Sequence, residues 1–183
     1  MKTKLFSTLL VTGAISLGAA PAIAESTEAP QFNFACQMSE GVPTTVAQNA
    51  EGETRAVFNW KEETLAYRTP STPKELCDNV SRDLQEYSNN GYDLSQITFV
   101  GTEQAGLPTI CATTAGNKCS KVLFTLTRDE QAANVANDVV TAILNPELQG
   151  KVVASYNDRG VQSTSYEVNF WDLFSFAPKG LFK

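Results

Sequence analysis

Gly41-Val42-Pro43-Thr44-Thr45-Val46-Ala47 and Gly106-Leu107-Pro108-Thr109-Ile110-Cys111-Ala112 are two versions of one phrase, set 65 residues apart. Each opens on a glycine–proline turn signal and runs into residues that favour strands. Working outward from the first copy, Phe32, Phe34 and Cys36 alternate with polar or small residues, which is a strand pattern. Residues 44–48 predict a second strand. Asn49-Ala50-Glu51-Gly52 turns the chain, and 55–61 predict a third, with Val57 and Asn59 on one side and Phe58 and Trp60 on the other. Around the second copy, strands are expected at 97–102, 109–113 and 121–127, with turns at Gly106-Leu107-Pro108 and Gly116-Asn117. A helical pattern follows each trio. The order β-β-β-α therefore occurs twice, as an internal duplication would give. The expected fold is α+β: a mostly antiparallel sheet built from two repeats, with the helices packed on one face.

The first helix has the clearest boundary. Thr72, Pro73 and Glu75 stand at the N-cap, N1 and N3 positions of a capping box, in which threonine and glutamate satisfy each other's backbone N–H groups. Leu76, Cys77, Val80, Leu84 and Tyr87 then form one apolar stripe, and Asn90-Gly91 ends it. The second helix is expected to start at an Asp129 cap. It carries Ala132, Val135, Ala136, Val139, Val140, Ile143 and Leu144 inward, and it stops at Asn145-Pro146.

The chain begins like an exported protein. Lys2 and Lys4 precede a short apolar run over 5–20, interrupted by Thr12, Gly13 and Ser16, and Ala22-Ile23-Ala24 offers small residues for cleavage before Glu25. This predicts a signal peptide over 1–24, without a cysteine for lipid attachment. A polar segment over 25–31 follows, then the α+β domain over 32–145 and a C-terminal extension over 146–183. Removal of Lys2 and Lys4 leaves 12 of the 14 basic residues against 20 acidic ones, a balance of about −8. Such a surface repels nucleic acid. Histidine is absent, which removes His-based triads and every histidine-containing zinc pattern within this polypeptide.

Cys36, Cys77, Cys111 and Cys119 are an even set in an exported chain and are expected to form two disulfides. Three pairings are open. The seven residues between Cys111 and Cys119, with a turn among them, favour that pair and leave Cys36 for Cys77. Spacings of 41, 34 and 8 contain no CxxC knuckle, which argues against a thiolate metal site or a redox pair.

No pattern of catalysis emerges. Asp129, Glu130 and Asp138 read as cap and solvent-face acids, and no D-x-D-x-D-G loop gathers the other carboxylates. Ser71-x-x-Lys74 has a serine–lysine spacing but is interrupted by Pro73, and no G-x-S-x-G elbow occurs. No catalytic residue, metal ligand or cofactor is assigned. Two features remain. Trp60 and Tyr67 are candidates for a ligand platform. The aromatic segment with Phe170, Trp171, Leu173, Phe174 and Phe176 folds back on the core, docks to a partner protein or membrane rim, or is a disordered tail.

Phe34-x-Cys36, Gly41-x-Pro43-Thr44-Thr45-Val46-Ala47, Trp60, Pro73, Cys77, Asn90-Gly91, Gly106-x-Pro108-x-Ile110-Cys111-Ala112, Cys119 and Leu123-Phe124-Thr125-Leu126 together resemble the cyanobacterial circadian-oscillating protein family, over about residues 32–145. The resemblance implies an exported domain of unknown function, with daily cycling of abundance and peripheral membrane association in the founding member. It implies no catalytic residues. Lys61-Glu62-Glu63 after Trp60 and the aromatic extension depart from the family pattern. The leading expectation is a noncatalytic exported interaction domain with a protein partner and peripheral association with a membrane complex. Its location would be the periplasm, the thylakoid lumen or outside the cell. The alternatives are a small-ligand or metal-binding module, and an envelope enzyme or enzyme inhibitor.

Overall fold

The computed structural model describes residues 32–92, 94–114, 119–149, 152–156 and 162–175. The expected signal peptide, the 25–31 segment, the turn at 116–117 and Phe176 lie outside the described residues. The first half contains β1 (Asn33–Ser39), β2 (Val42–Gln48), β3 (Thr54–Asn59), a short α1 (Glu62–Leu65) and α2 (Pro73–Asn89). The second contains β4 (Ile97–Gln104), β5 (Leu107–Thr113), β6 (Lys121–Thr125) and α3 (Ala132–Ile143). β7 (Val152–Tyr156), β8 (Gln162–Val168) and α4 (Phe170–Ser175) follow.

The two halves repeat in detail. Glu40 and Gly41 have φ of 51° and 82°, and Ala105 and Gly106 have 51° and 73°. Both hairpins therefore turn on two residues in the left-handed region, which suits the right-handed twist of the flanking strands. Thr44 Oγ1 donates to the Val42 carbonyl at 3.1 Å, and Thr109 Oγ1 to the Leu107 carbonyl at 3.1 Å. The third strands return to the same place: Trp60 N donates to Pro43 O at 2.9 Å, and Leu126 N to Pro108 O at 2.8 Å. Register shifts fall between Thr45 and Val46 and between Ile110 and Cys111. Leu107 and Pro108, expected in the turn, already belong to β5.

One expected sheet is resolved into two. β1-β2-β3 form a three-stranded antiparallel sheet, and the five-stranded sheet runs β6-β5-β4-β8-β7. Periodicity predicts which face a strand buries but not its neighbour. Phe58 packs on Phe99 at 4.8 Å and Trp60 on Phe124 at 5.4 Å, so aromatic contacts join the sheets. Val57, Phe58 and Trp60 are all fully buried, hence neither side of the third strand faces solvent as simple alternation would have it. Its outer edge is closed by Asn145, whose N donates to Val57 O at 2.9 Å and whose Nδ2 donates to Ala56 O at 3.0 Å.

α2 carries the predicted capping box and buries Leu76, Cys77, Val80, Leu84 and Tyr87 against the β1–β2 side. α3 lies on β4 and β5. Its cap differs from expectation: Gln131 holds the N-cap position without a side-chain bond to the helix backbone, while Asp129 Oδ1 accepts from Gln131 N at 2.8 Å, closing a local turn before the helix. Both disulfides have the pairing favoured by spacing, with Cα–Cα distances of 5.4 Å for Cys36–Cys77 and 5.3 Å for Cys111–Cys119.

The segment after 145 is part of the same body. β8 inserts beside β4, pairing Ile97 with Val168 and Phe99 with Tyr166. Phe170 is fully buried and meets Phe34 edge-on at 5.3 Å.

Two outcomes test this packing. A Cβ on Gly101 would come within 2.5 Å of the Ala136 backbone, so Gly101→Ala is expected to cost about 1–3 kcal/mol in urea unfolding. The Cys36–Cys77 closure spans 41 residues and the Cys111–Cys119 closure 8. Replacing each pair by alanines is then expected to cost roughly 4 and roughly 2.5 kcal/mol by chain entropy; the reverse order would show that loop closure does not set their worth.

Candidate functional site

β1, with the sequence Asn33-Phe34-Ala35-Cys36-Gln37-Met38-Ser39, is an edge strand that pairs with a strand on one side only among the described residues. Those seven residues include no charge and no proline, the usual devices that keep an edge from pairing. β1 pairs with β2 on one side, Cys36 opposite Thr45 and Met38 opposite Pro43. The Pro43 carbonyl points to Trp60 in the direction of β3, and Phe34 N points outward to Gln85. In an antiparallel strand the N–H and C=O of one residue share a side and alternate along the chain. Phe34, Cys36 and Met38 therefore present their backbone groups on the outer edge.

α2 serves part of that edge. Ser88 Oγ donates to Phe32 O at 3.3 Å, and Gln85 Oε1 accepts from Phe34 N at 2.7 Å. The helix is then tied down by Cys36–Cys77 and by Ser81 Oγ, which donates to the buried Thr45 Oγ1 at 3.1 Å. Ser81 is thus turned inward. Among the described residues, nothing bonds the outward backbone groups of Cys36 and Met38.

Two recesses border the same edge. One of about 700 Å³ lies between Phe34, Cys36 and the α2 residues Asp78, Arg82 and Gln85. The other, about 470 Å³, lies between Met38, Val42, Pro43 and the start of α2 at Pro73 and Lys74. Met38 is 59% exposed between them. Charges on the flank of α2 are paired in place: Lys74 with Asp78 at 2.5 Å, and Lys121 with Glu86 at 3.0 Å and Asp83 at 3.2 Å. The hydrogen bonds to Glu86 and then Asp83 raise the Lys121 pKa.

The residues singled out in the sequence fall elsewhere. Trp60 is fully buried between Phe58 and Phe124, its Nε1 donates to Thr45 Oγ1 at 2.9 Å, and it stands at the floor of the 470 Å³ recess as a core residue. Tyr67 is fully exposed, with φ of 65°, so the two share no platform. Phe170 belongs to the core, and Phe174 stacks on Phe32 at 5.4 Å. Leu173 is half-buried, and its carbonyl accepts from Arg55 Nε at 3.3 Å. These residues close the end of the β1–β3 sheet and are not a free docking strip; burial of one phenylalanine stabilises by about 1.5–3 kcal/mol. The placement of the Trp171 side chain lies outside the described residues, as does Phe176. The four cysteines are all engaged in disulfides. Among the described residues no group of three or more metal-ligating side chains is gathered, and no helix is long and apolar enough to cross a membrane. The β1 edge was missed in the sequence, although its uncharged, proline-free run was visible there.

The orientation of α2 over the edge depends on its first turn. Hydrogen bonds from Thr72, the backbone one first, hold the Glu75 carboxyl below its ordinary 4.5. A depressed carboxyl contributes stability above the unfolded pKa and loses it as pH falls through the folded one. Thr72→Ala is expected to cost about 1 kcal/mol. The melting difference between wild type and Glu75→Ala should be present at neutral pH and close on acidification below that carboxyl range; a difference unchanged by acid would remove the ionised box.

A family model described as Circadian oscillating protein COP23 matches residues 33–175. No curated protein and no solved structure matches the chain. The match runs past residue 145, where the sequence resemblance stopped. β7, β8 and α4 thus lie within the family's domain and are not an extension beyond it.

Proposed function

The chain belongs to the circadian oscillating protein COP23 family, and from that premise we propose that it is a noncatalytic, exported protein-interaction domain. One observation carries this reading: the outer edge of β1 offers the backbone groups of Cys36 and Met38 beside two recesses, in a strand without charge or proline. Such an edge binds an extended segment by strand addition, with backbone hydrogen bonds giving affinity and alternate side chains giving specificity. Two disulfides support an oxidising compartment such as the periplasm, thylakoid lumen or exterior. Peripheral association with a membrane complex would then run through a protein partner. The ligand-module reading has less support, because Trp60 is fully buried while Tyr67 is fully exposed.

The test is crosslinked capture from the native organism with wild type and Met38→Pro. Proline at 38 deletes an N–H that faces away from β2, so the β1–β2 pairing is retained. Recovery of a discrete partner is expected to fall by about tenfold or more, a loss of about 1.4 kcal/mol. Equal recovery by two equally stable proteins would overturn the edge as the docking element.

A further inference from the structure

We propose that the partner fitting the β1 edge is β1 of a second copy, so that the chain forms a two-fold dimer through antiparallel pairing of this strand. The inference rests on the interaction reading above and names its partner.

The second half shows that the outer edge of such a unit accepts an antiparallel strand. β4 is the counterpart of β1 in the second half, since Ser39–Val42 and Gln104–Leu107 close the two equivalent hairpins. β8 runs antiparallel to β4 and takes its outer edge over Ile97–Val100, the start of the strand. No strand of the chain takes the outer edge of β1 among the described residues.

The open groups select one register. Phe34 N is occupied by Gln85, and Glu40 leaves the strand with φ of 51°. Only Cys36 and Met38 remain with both backbone groups outward. Placing Gln37 of one copy opposite Gln37 of the other sets each Cys36 against a Met38, and both rungs are closed reciprocally. Centring the axis on Cys36 instead would place Met38 against the occupied Phe34. A two-fold axis at Gln37 is therefore the pairing that satisfies the free groups.

Side chains agree with that register. Met38 lies on the same face of β1 as Cys36, which is disulfide-bonded to α2. In the dimer each exposed Met38 stands beside Cys36 of the other copy, at the recess between Phe34, Asp78 and Arg82. Methionine is suited to fill an irregular recess. Lys74 and Asp78 are already paired with each other one turn apart on α2, so they bring no unpaired charge to the new rungs. β1 brings no charge of its own, so the acidic chain opposes no like charges across the new rungs.

Sedimentation equilibrium of the purified, oxidised chain tests this directly. Wild type is expected to approach twice the monomer mass with rising concentration. Met38→Lys should return it to the monomer mass without lowering its melting temperature, because the lysine would enter the recess beside Arg82. A second variant covers loss of folding: Gln37→Cys should form an interchain disulfide, since paired residues at such a non-hydrogen-bonded position stand about 4.5 Å apart. Asn79→Cys, exposed on α2, should not. A monomeric wild type, or a dimer untouched by Met38→Lys, overturns the self-pairing. If that monomer still captures a different protein in a manner abolished by Met38→Pro, the interaction reading stands and the dimer alone falls. If neither assay responds to the edge, both fall.

Discussion

Each half of this protein must hold a helix across its first strand, and the two halves meet that demand in different ways. In the second half the contact is made by removing a side chain. Gly101 lets β4 approach the backbone of α3 at Ala136, where a Cβ would collide at 2.5 Å. In the first half the equivalent position, 65 residues earlier, is Cys36, and the approach is made covalent through Cys77. The substitution matters because a disulfide sets the helix at a fixed Cα separation of 5.4 Å while leaving a side chain between the elements. α2 then reaches the edge with Gln85 and Ser88 near its C-terminal end only. Which rungs of β1 are covered, and which are open, follows from where that bond pins the helix.

Much of this was legible before any coordinates. The G-x-P phrases located the paired hairpins because two left-handed residues are needed there and glycine supplies one of them. Thr72, Pro73 and Glu75 located the start of α2 because their capping chemistry is local. The cysteine pairing followed from loop length and a turn. Local rules failed where a decision was tertiary. Nothing in the 162–168 pattern says that β8 would lie beside β4, since a strand's alternation is the same whichever edge it joins. Trp60 looked like a platform because aromatic residues suit both cores and binding faces; only the positions of Phe58, Phe124 and Thr45 decide between them. Phe170 and Phe174 presented the same ambiguity, and Phe32 and Phe34 resolve it.

The edge itself was written in the sequence in a negative form. A stretch such as 33–39 is read first for what it contains, and alternating Phe34 and Cys36 were enough to make it a strand. What it omits is the more informative half. The chain has 14 basic and 20 acidic residues, yet none falls within β1, while the neighbouring α2 carries Lys74, Glu75, Asp78, Arg82, Asp83 and Glu86. Charge has been kept on the helix flank and off the strand. An edge destined for solvent gains from a lysine or proline that discourages pairing; an edge destined for a partner loses affinity from either.

The repeat then acquires a functional sense. Duplication of a β-β-β-α unit produces two equivalent outer edges, each a liability wherever it is left unpaired. The family match runs to residue 175 and includes β8, which pairs with the first half of the β4 edge, Ile97–Val100, within the same chain. The same C-terminal segment contributes α4 to the first half, but there it supplies aromatic side chains at the end of the sheet and not a strand at its edge. Symmetry is thereby broken by one element doing different work at two equivalent places. At β4 a strand from the same chain joins the start of the outer edge, whereas at β1 the helix pinned by Cys36–Cys77 serves that stretch through Gln85 and Ser88, and no strand joins it among the described residues.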